Sequence, residues 1–127
     1  MDIENKKNLL ELTIKIFFKH QLQIKMLHFQ TKNYGTHKAT DSYLSNFEEK
    51  LDKFMEVAQG IFGKLSLQNI DIKIEIPTDN SISQDLDKFI ITLKGYSKII
   101  SNYPELLNIR DEIVADAEQF KYLLTFK

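Results

Sequence analysis

Residues 3–29 contain neither glycine nor proline, and only four glycines and two prolines punctuate all 127 residues. A chain with so few breakers has to spend its length in long helices. The apolar residues agree. Leu10, Ile14, Phe17, Ile24 and Leu27 recur at helical spacing, with Leu9, Leu12, Ile16 and Phe18 widening the stripe. That pattern predicts a first amphipathic helix from about Ile3 to Phe29. "TKNYGT" breaks it. A second helix is expected from about His37 to Leu65, with Leu44, Phe47, Leu51, Phe54, Ala58, Ile61, Phe62 and Leu65 on one face and Thr36 as a possible N-cap.

The period then changes. "NIDIKIEIP" alternates isoleucine with polar residues at 70, 72, 74 and 76, which is the period of an extended segment stopped by Pro77. Such a segment is expected to act as a strand or clamp against a neighbouring subunit. A third helix is expected from Ser81, whose spacing to Gln84 fits a capping box. It should run through Leu86, Phe89, Ile90, Leu93, Ile99 and Ile100, with Gly95 tolerated inside, until "SNYP". Pro104 suits the first position of a fourth helix through Leu106, Leu107, Ile113, Val114, Ala117, Phe120 and Leu124. The fold class is therefore all-α: one four-helix bundle domain over 1–127, with an extended segment between helices two and three long enough to cross the bundle.

Charge and composition narrow the function. The net charge is −1, and Lys6 and Lys7 near the N-terminus are offset by three acids, so DNA binding is not expected. There is no cysteine, hence no disulfide, thiolate metal site or cysteine nucleophile. No apolar run approaches the ~20 residues that span a bilayer, and no signal-peptide stretch opens the chain. A cytoplasmic location is the expectation.

The polar residues of helix two carry the chemistry. His37 and Asp41 stand one turn apart, as do Asp52 and Glu56. Eleven residues separate the pairs, three turns plus about 20°, so all four project within ~100° of one another. Imidazole and carboxylate are ligands for iron and similar divalent metals. Along one helix, however, Asp41 and Asp52 lie ~16 Å apart and His37 and Glu56 ~28 Å, while metal–ligand bonds are about 2 Å. One chain cannot close such a site. A two-fold copy of helix two, antiparallel beside it and centred near Asn46 and Phe47, brings His37 and Asp41 of one subunit to Asp52 and Glu56 of the other. His28, at the end of helix one, can reach the same place. The arrangement that holds two irons within one bundle uses Glu-x-x-His on two helices, and no glutamate precedes any histidine by three here.

"LHFQTKNYGTHKATDSYLSNFEEKLDKFMEVAQG" resembles the mini-ferritin (Dps) family in His28, His37, Asp41, Asp52 and Glu56, taken in order. The resemblance implies a ferritin-like bundle, two-fold dimers assembled into a twelve-subunit shell, and a ferroxidase centre built from those five residues. Fe(II) would be oxidised by peroxide or dioxygen and stored as ferric mineral, with Zn(II) as a possible substitute ion and Glu56 as the bridging ligand. Departures from the family are a shorter loop between the histidines, Phe29-Gln30 for Trp-Asn, Val57 for Arg and no lysine-rich tail. Sixteen of seventeen basic residues are lysine, a usage that suggests an AT-rich genome and a divergent, phage-type branch. A non-catalytic assembly protein using the same interface, with or without a structural metal, is the alternative. Of the remaining polar residues, His20 reads as a surface or packing residue, Asp116 and Gln119 as a polar surface stripe, and Tyr34 and Tyr43 as packing rather than electron transfer.

Overall fold

The computed structural model describes residues 3–126, with side chains from residue 7; Met1, Asp2, Lys127 and the side chain of Lys6 lie outside the described residues. Four α-helices form the bundle: α1 (Ile3–Gln30), α2 (Tyr34–Phe62), α3 (Ile82–Lys94) and α4 (Pro104–Leu123). The described residues contain no strand.

Side-chain pairs give the direction of each helix. His28 meets His37 and Phe17 meets Phe54, so α1 and α2 are antiparallel. Tyr43 meets Phe120 and Phe62 meets Tyr103, so α2 and α4 are antiparallel. Lys121 pairs with Asp87, and Arg110 Nη1 donates to the Leu93 carbonyl at 3.1 Å, so α3 and α4 are antiparallel. At the end of α1, Thr31 donates to Asp79 just before α3. The order is therefore up, down, down, up, with one long crossover between α2 and α3.

That crossover is the isoleucine-alternating segment. It leaves α2 at Gly63, whose φ of 98° is a conformation side-chain-bearing residues rarely adopt. It then lies along α1: Gln23 Nε2 donates to the Glu75 carbonyl at 2.9 Å, and Lys19 pairs with Glu75 at 3.1 Å. Ile70, Ile72 and Ile74 are half-buried while Asp71, Lys73 and Glu75 are exposed, so the period-two pattern is realised without a strand ladder. Ile76 stays exposed.

Three expected boundaries move. Helix two starts at Tyr34, not His37, and its N-cap is Asn33 rather than Thr36. The Asn33 side chain accepts from the Thr36 amide at 3.1 Å, which makes Thr36 a first-turn residue. Its other end is Phe62, where Gly63 stops it, not Leu65. Helix three ends at Lys94. Gly95 is its C-cap, and a 3-10 turn over Gly95–Lys98 follows. The Ser81–Gln84 capping box is not formed. A reciprocal pair sits one turn earlier instead: the Ser81 amide donates to Thr78 Oγ1, and the Thr78 amide donates to Ser81 Oγ.

The core is aromatic. Phe17 packs edge-on against Phe47 and Phe54, and all three are buried. His20 is not a surface residue. It is 4% exposed, with its ring stacked on Phe89 and Nε2 2.7 Å from the Tyr43 hydroxyl. Burial pushes its imidazole down to about 3 and pushes the Tyr43 phenol upward, the Asp116 carboxylate adding to that shift.

Candidate metal centre

A three-residue turn joins α1 to α2, which returns the chain directly beside itself. His28 in the last turn of α1 thereby meets His37 in the first turns of α2. Their rings stack with centroids 4.0 Å apart and planes within 18°. The hydrogen bonds are reciprocal. His28 Nδ1 lies 3.0 Å from the His37 carbonyl, and His37 Nδ1 lies 2.9 Å from the His28 carbonyl. A carbonyl only accepts, so the network assigns a proton to both Nδ1 atoms. In the neutral rings both Nε2 atoms then keep their lone pairs, the form in which histidine ligates metal.

Thr40 locks this arrangement. It is fully buried, its hydroxyl donates to the His37 carbonyl at 2.9 Å, and its oxygen accepts from His28 Nδ1 at 2.8 Å. Such outer-shell bonds set the ring orientation and tautomer of a metal-binding histidine. Sequence reasoning missed Thr40. Its signal is a threonine three residues after His37, where a hydroxyl can reach back to the carbonyl of the preceding turn.

Asp41 follows His37 by one turn on the exposed side of α2. Asp52 and Glu56 are exposed further down, lining a groove with Glu49, Lys50, Lys53, Ile109 and Glu112. None of the three carboxylates has a hydrogen bond or ion pair among the described residues. Asp116, by contrast, is paired with Lys50. The structure thus brings His28 and His37 together and leaves Asp41, one turn further along α2, and Asp52 and Glu56, further still, outside that pair. Among the described residues no three histidine or acidic side chains gather closely enough to hold an ion within one chain.

Phe47 is buried in the core and Asn46 lines the α2–α4 groove. The residues presented outward at that height are Ser45, Glu48 and Glu49. Aromatic rings surround the histidine pair: Phe29 edge-on to His28, and Tyr34, 72% exposed, over His37.

Fold and site together define a four-helix bundle with a single crossover, carrying a preorganised imidazole pair at one end and free carboxylates along α2. Residues 28–124 match the family of unknown function DUF5856, and the chain belongs to that family. The match begins at His28 and includes His37, Asp41, Asp52 and Glu56. A relative in Enterobacteria phage T4, described as an "Uncharacterized 14.6 kDa protein in mobD-ri intergenic region", is 30% identical over 100 residues, covering 79% of this chain and 75% of the relative. No solved structure gives a significant match. No helix among the described residues is long and apolar enough to cross a membrane.

Proposed function

We propose that the protein is a mini-ferritin-like ferroxidase whose Fe(II)-binding site is shared between two subunits. His28, His37 and Asp41 come from one chain, and Asp52 and Glu56 from its two-fold mate. The observation that carries this reading is the reciprocal Nδ1 bonding of His28 and His37, which leaves both Nε2 lone pairs for metal. Two further features support it. The up-down-down-up order with one long crossover is the connectivity of ferritin-like bundles. The carboxylates that would complete the site stand unpaired on α2, too far from the histidines to be reached within one chain.

Near-parallel rings 4.0 Å apart do not converge on one ion. His28 and His37 would each hold one Fe(II), and Glu56 of the two-fold mate would add carboxylate oxygens to the same site. Two Fe(II) then give one electron each to peroxide. Two Fe(II), one peroxide and two protons yield two Fe(III) and two waters, and no radical is released. Carboxylate oxygens, as hard donors, stabilise the Fe(III) product. Dimerisation through this face brings the two copies of Glu48 near each other at the axis and Asp52 of one chain near Asp41 of the other. Bound cations offset that repulsion, so Fe(II) binding and dimer formation are linked.

Anaerobic Fe(II) titration followed by peroxide, read by absorbance and sedimentation, tests the proposal. Expected are saturation near about two Fe(II) per chain, a dimer fraction that rises with metal, and rapid formation of ferric product. Sedimentation also reports whether larger shells and mineral form. Asp52→Ala should abolish the fast oxidation while the fold persists, and unchanged oxidation in that variant rejects the reading. Leu22 and Phe29, exposed on the outer face of α1, favour a second reading: an assembly protein using the same interface around a structural Zn(II). Loss of the dimer in Asp52→Ala, with no iron oxidation by the parent protein, selects it.

A further inference from the structure

One side of the bundle is open. α1 packs along α2, α2 along α4 and α3 along α4, but α1 and α3 are the neighbours that pack least closely. Across that gap Phe89 of α3 stacks face-on against His20 of α1, with centroids 3.6 Å apart and planes within 3°. The crossover borders the gap through Glu75, which pairs with Lys19 at 3.1 Å. What remains is a groove of about 470 Å³, with Ile16, His20 and Phe89 as its inner wall.

His20 presents an unmet hydrogen-bond donor to this groove. Its side chain is 4% exposed, and Nε2 lies 2.7 Å from the buried Tyr43 hydroxyl. That hydroxyl has no other acceptor among the described residues, so it donates to Nε2 and the imidazole proton sits on Nδ1. Nδ1 itself has no partner among the described residues. Every fully enclosed side-chain nitrogen or oxygen among them is bonded, so Nδ1 is reached from outside, and the groove is the opening that His20 lines. A buried donor of this kind ordinarily finds an acceptor. Burial keeps the ring uncharged, its imidazole being pushed down to about 3, so the groove sees a neutral N–H.

The charges around the groove leave one cation over. A lysine precedes each stacked ring: Lys19 before His20 and Lys88 before Phe89. Lys19 is taken by Glu75. Asp85, the other carboxylate of the groove, accepts from Ser81 Oγ at 3.2 Å. Lys88 is exposed and has no carboxylate partner among the described residues. An apolar wall, one inward donor and one free ammonium are what a small amphipathic anion requires.

We propose that the groove between α1 and α3 binds a small aromatic carboxylate. The carboxylate accepts from His20 Nδ1 and pairs with Lys88, while the ring lies against Ile16 and Phe89, where an aromatic body gains most. The ligand replaces groove water at Nδ1 by a charge-assisted hydrogen bond. His20 stands eight residues before His28, about 12 Å along α1, so the site is separate from the imidazole pair and does not depend on the ferroxidase reading.

Titration of the full chain with 2-naphthoate tests the inference, read by ligand fluorescence and by the side-chain nitrogen resonances of the three histidines. Expected is saturable binding with a Kd on the order of 0.1–1 mM, and a shift of the His20 Nδ1 resonance while those of His28 and His37 stay in place. Lys88→Gln, at an exposed position, should weaken binding about fivefold, whereas Lys64→Gln, an exposed lysine outside the groove, should match the parent. 2-Naphthalenemethanol, which keeps the ring and loses the charge, should bind several-fold more weakly. No saturable binding, or shifts that leave His20 unmoved, overturns the site. Unchanged affinity in Lys88→Gln, or equal affinity for the alcohol, overturns the carboxylate as its ligand.

Discussion

The three histidines divide into two environments that differ in which ring nitrogen the protein uses. His20 of α1 is enclosed by Tyr43 and Phe47 of α2 and Phe89 of α3, and has Nε2 bonded to the Tyr43 hydroxyl. His28 and His37 lie at the end of the bundle and are held through Nδ1 by backbone carbonyls. A histidine tied at Nδ1 to a group that only accepts is fixed in one tautomer with a lone pair outward. A histidine whose Nε2 meets a buried hydroxyl is a core residue with a proton partner. The partner of one nitrogen thus separates an imidazole with an outward lone pair from a packing residue where residue type cannot.

The sharpest way to break this comparison is to remove each kind in turn. His20→Ala opens a cavity the size of an aromatic ring and strands the Tyr43 hydroxyl. It should cost about 4 kcal/mol in urea unfolding, while Fe(II) affinity per folded chain stays near the parent value. His37→Ala should do the reverse. It should weaken Fe(II) binding by at least about 100-fold in anaerobic titration and change stability by less than about 1 kcal/mol, because the side chain is exposed. If His20→Ala abolishes metal binding without loss of fold, or His37→Ala unfolds the chain, the division is wrong.

Titration sharpens the same contrast. An unfolded histidine takes a proton near 6.5, whereas His20 in the fold takes one only near 3. Between those values the unfolded chain binds the extra proton, so stability is fully present above about pH 6.5 and is lost as the pH falls toward 3. The slope is about 1.4 kcal/mol per unit, which amounts to about 2 kcal/mol between pH 7.5 and pH 5. The double variant His20→Leu with Tyr43→Phe removes both polar partners. It should lie within about 1.5 kcal/mol of the parent at neutral pH and lack this part of the acid sensitivity. Urea midpoints measured across pH 5 to 7.5 decide it; an unchanged slope in the double variant would place the acid sensitivity elsewhere.

These two environments were not equally legible in the amino-acid sequence. Helical spacing marks four helices and a change of period marks the crossover, because both are local. The end of α3 is not local. Ile99 and Ile100 continue the apolar stripe past Gly95, and the carbonyl of Leu93 is satisfied by Arg110, seventeen residues away. At the start of α2, Thr36 is the N-cap that the sequence suggests. Asn33 caps the helix instead, and Thr31 is drawn to Asp79 across the crossover. At the site, spacing along α2 picks out His37, Asp41, Asp52 and Glu56, and helix rise shows that one chain separates them. The stacking of His28 on His37 depends on the three-residue turn, and Thr40 acquires its role only when α1 arrives beside it. His20 looked equivocal because its neighbours, Phe89 and Tyr43, are 69 and 23 residues distant in the chain.

The mildest change probes the support behind the outer pair. Thr40→Val keeps the shape of a buried side chain and removes one hydroxyl. That hydroxyl both donates to the His37 carbonyl and accepts from His28 Nδ1. His28 retains its bond to the His37 carbonyl, so the tautomer persists, but the ring loses the second point that fixes its rotation. Fe(II) affinity should fall about tenfold, the low end of what outer-shell changes cost, with both imidazoles still in place. Thr40→Ser, which restores the oxygen, should recover most of the loss, whereas a purely structural role for Thr40 would make serine, with its missing methyl, the worse of the two. Equal Fe(II) affinity in the parent, valine and serine proteins would mean that the backbone carbonyls alone hold the imidazoles, and that the hydroxyl serves only to close its own hydrogen bond inside α2.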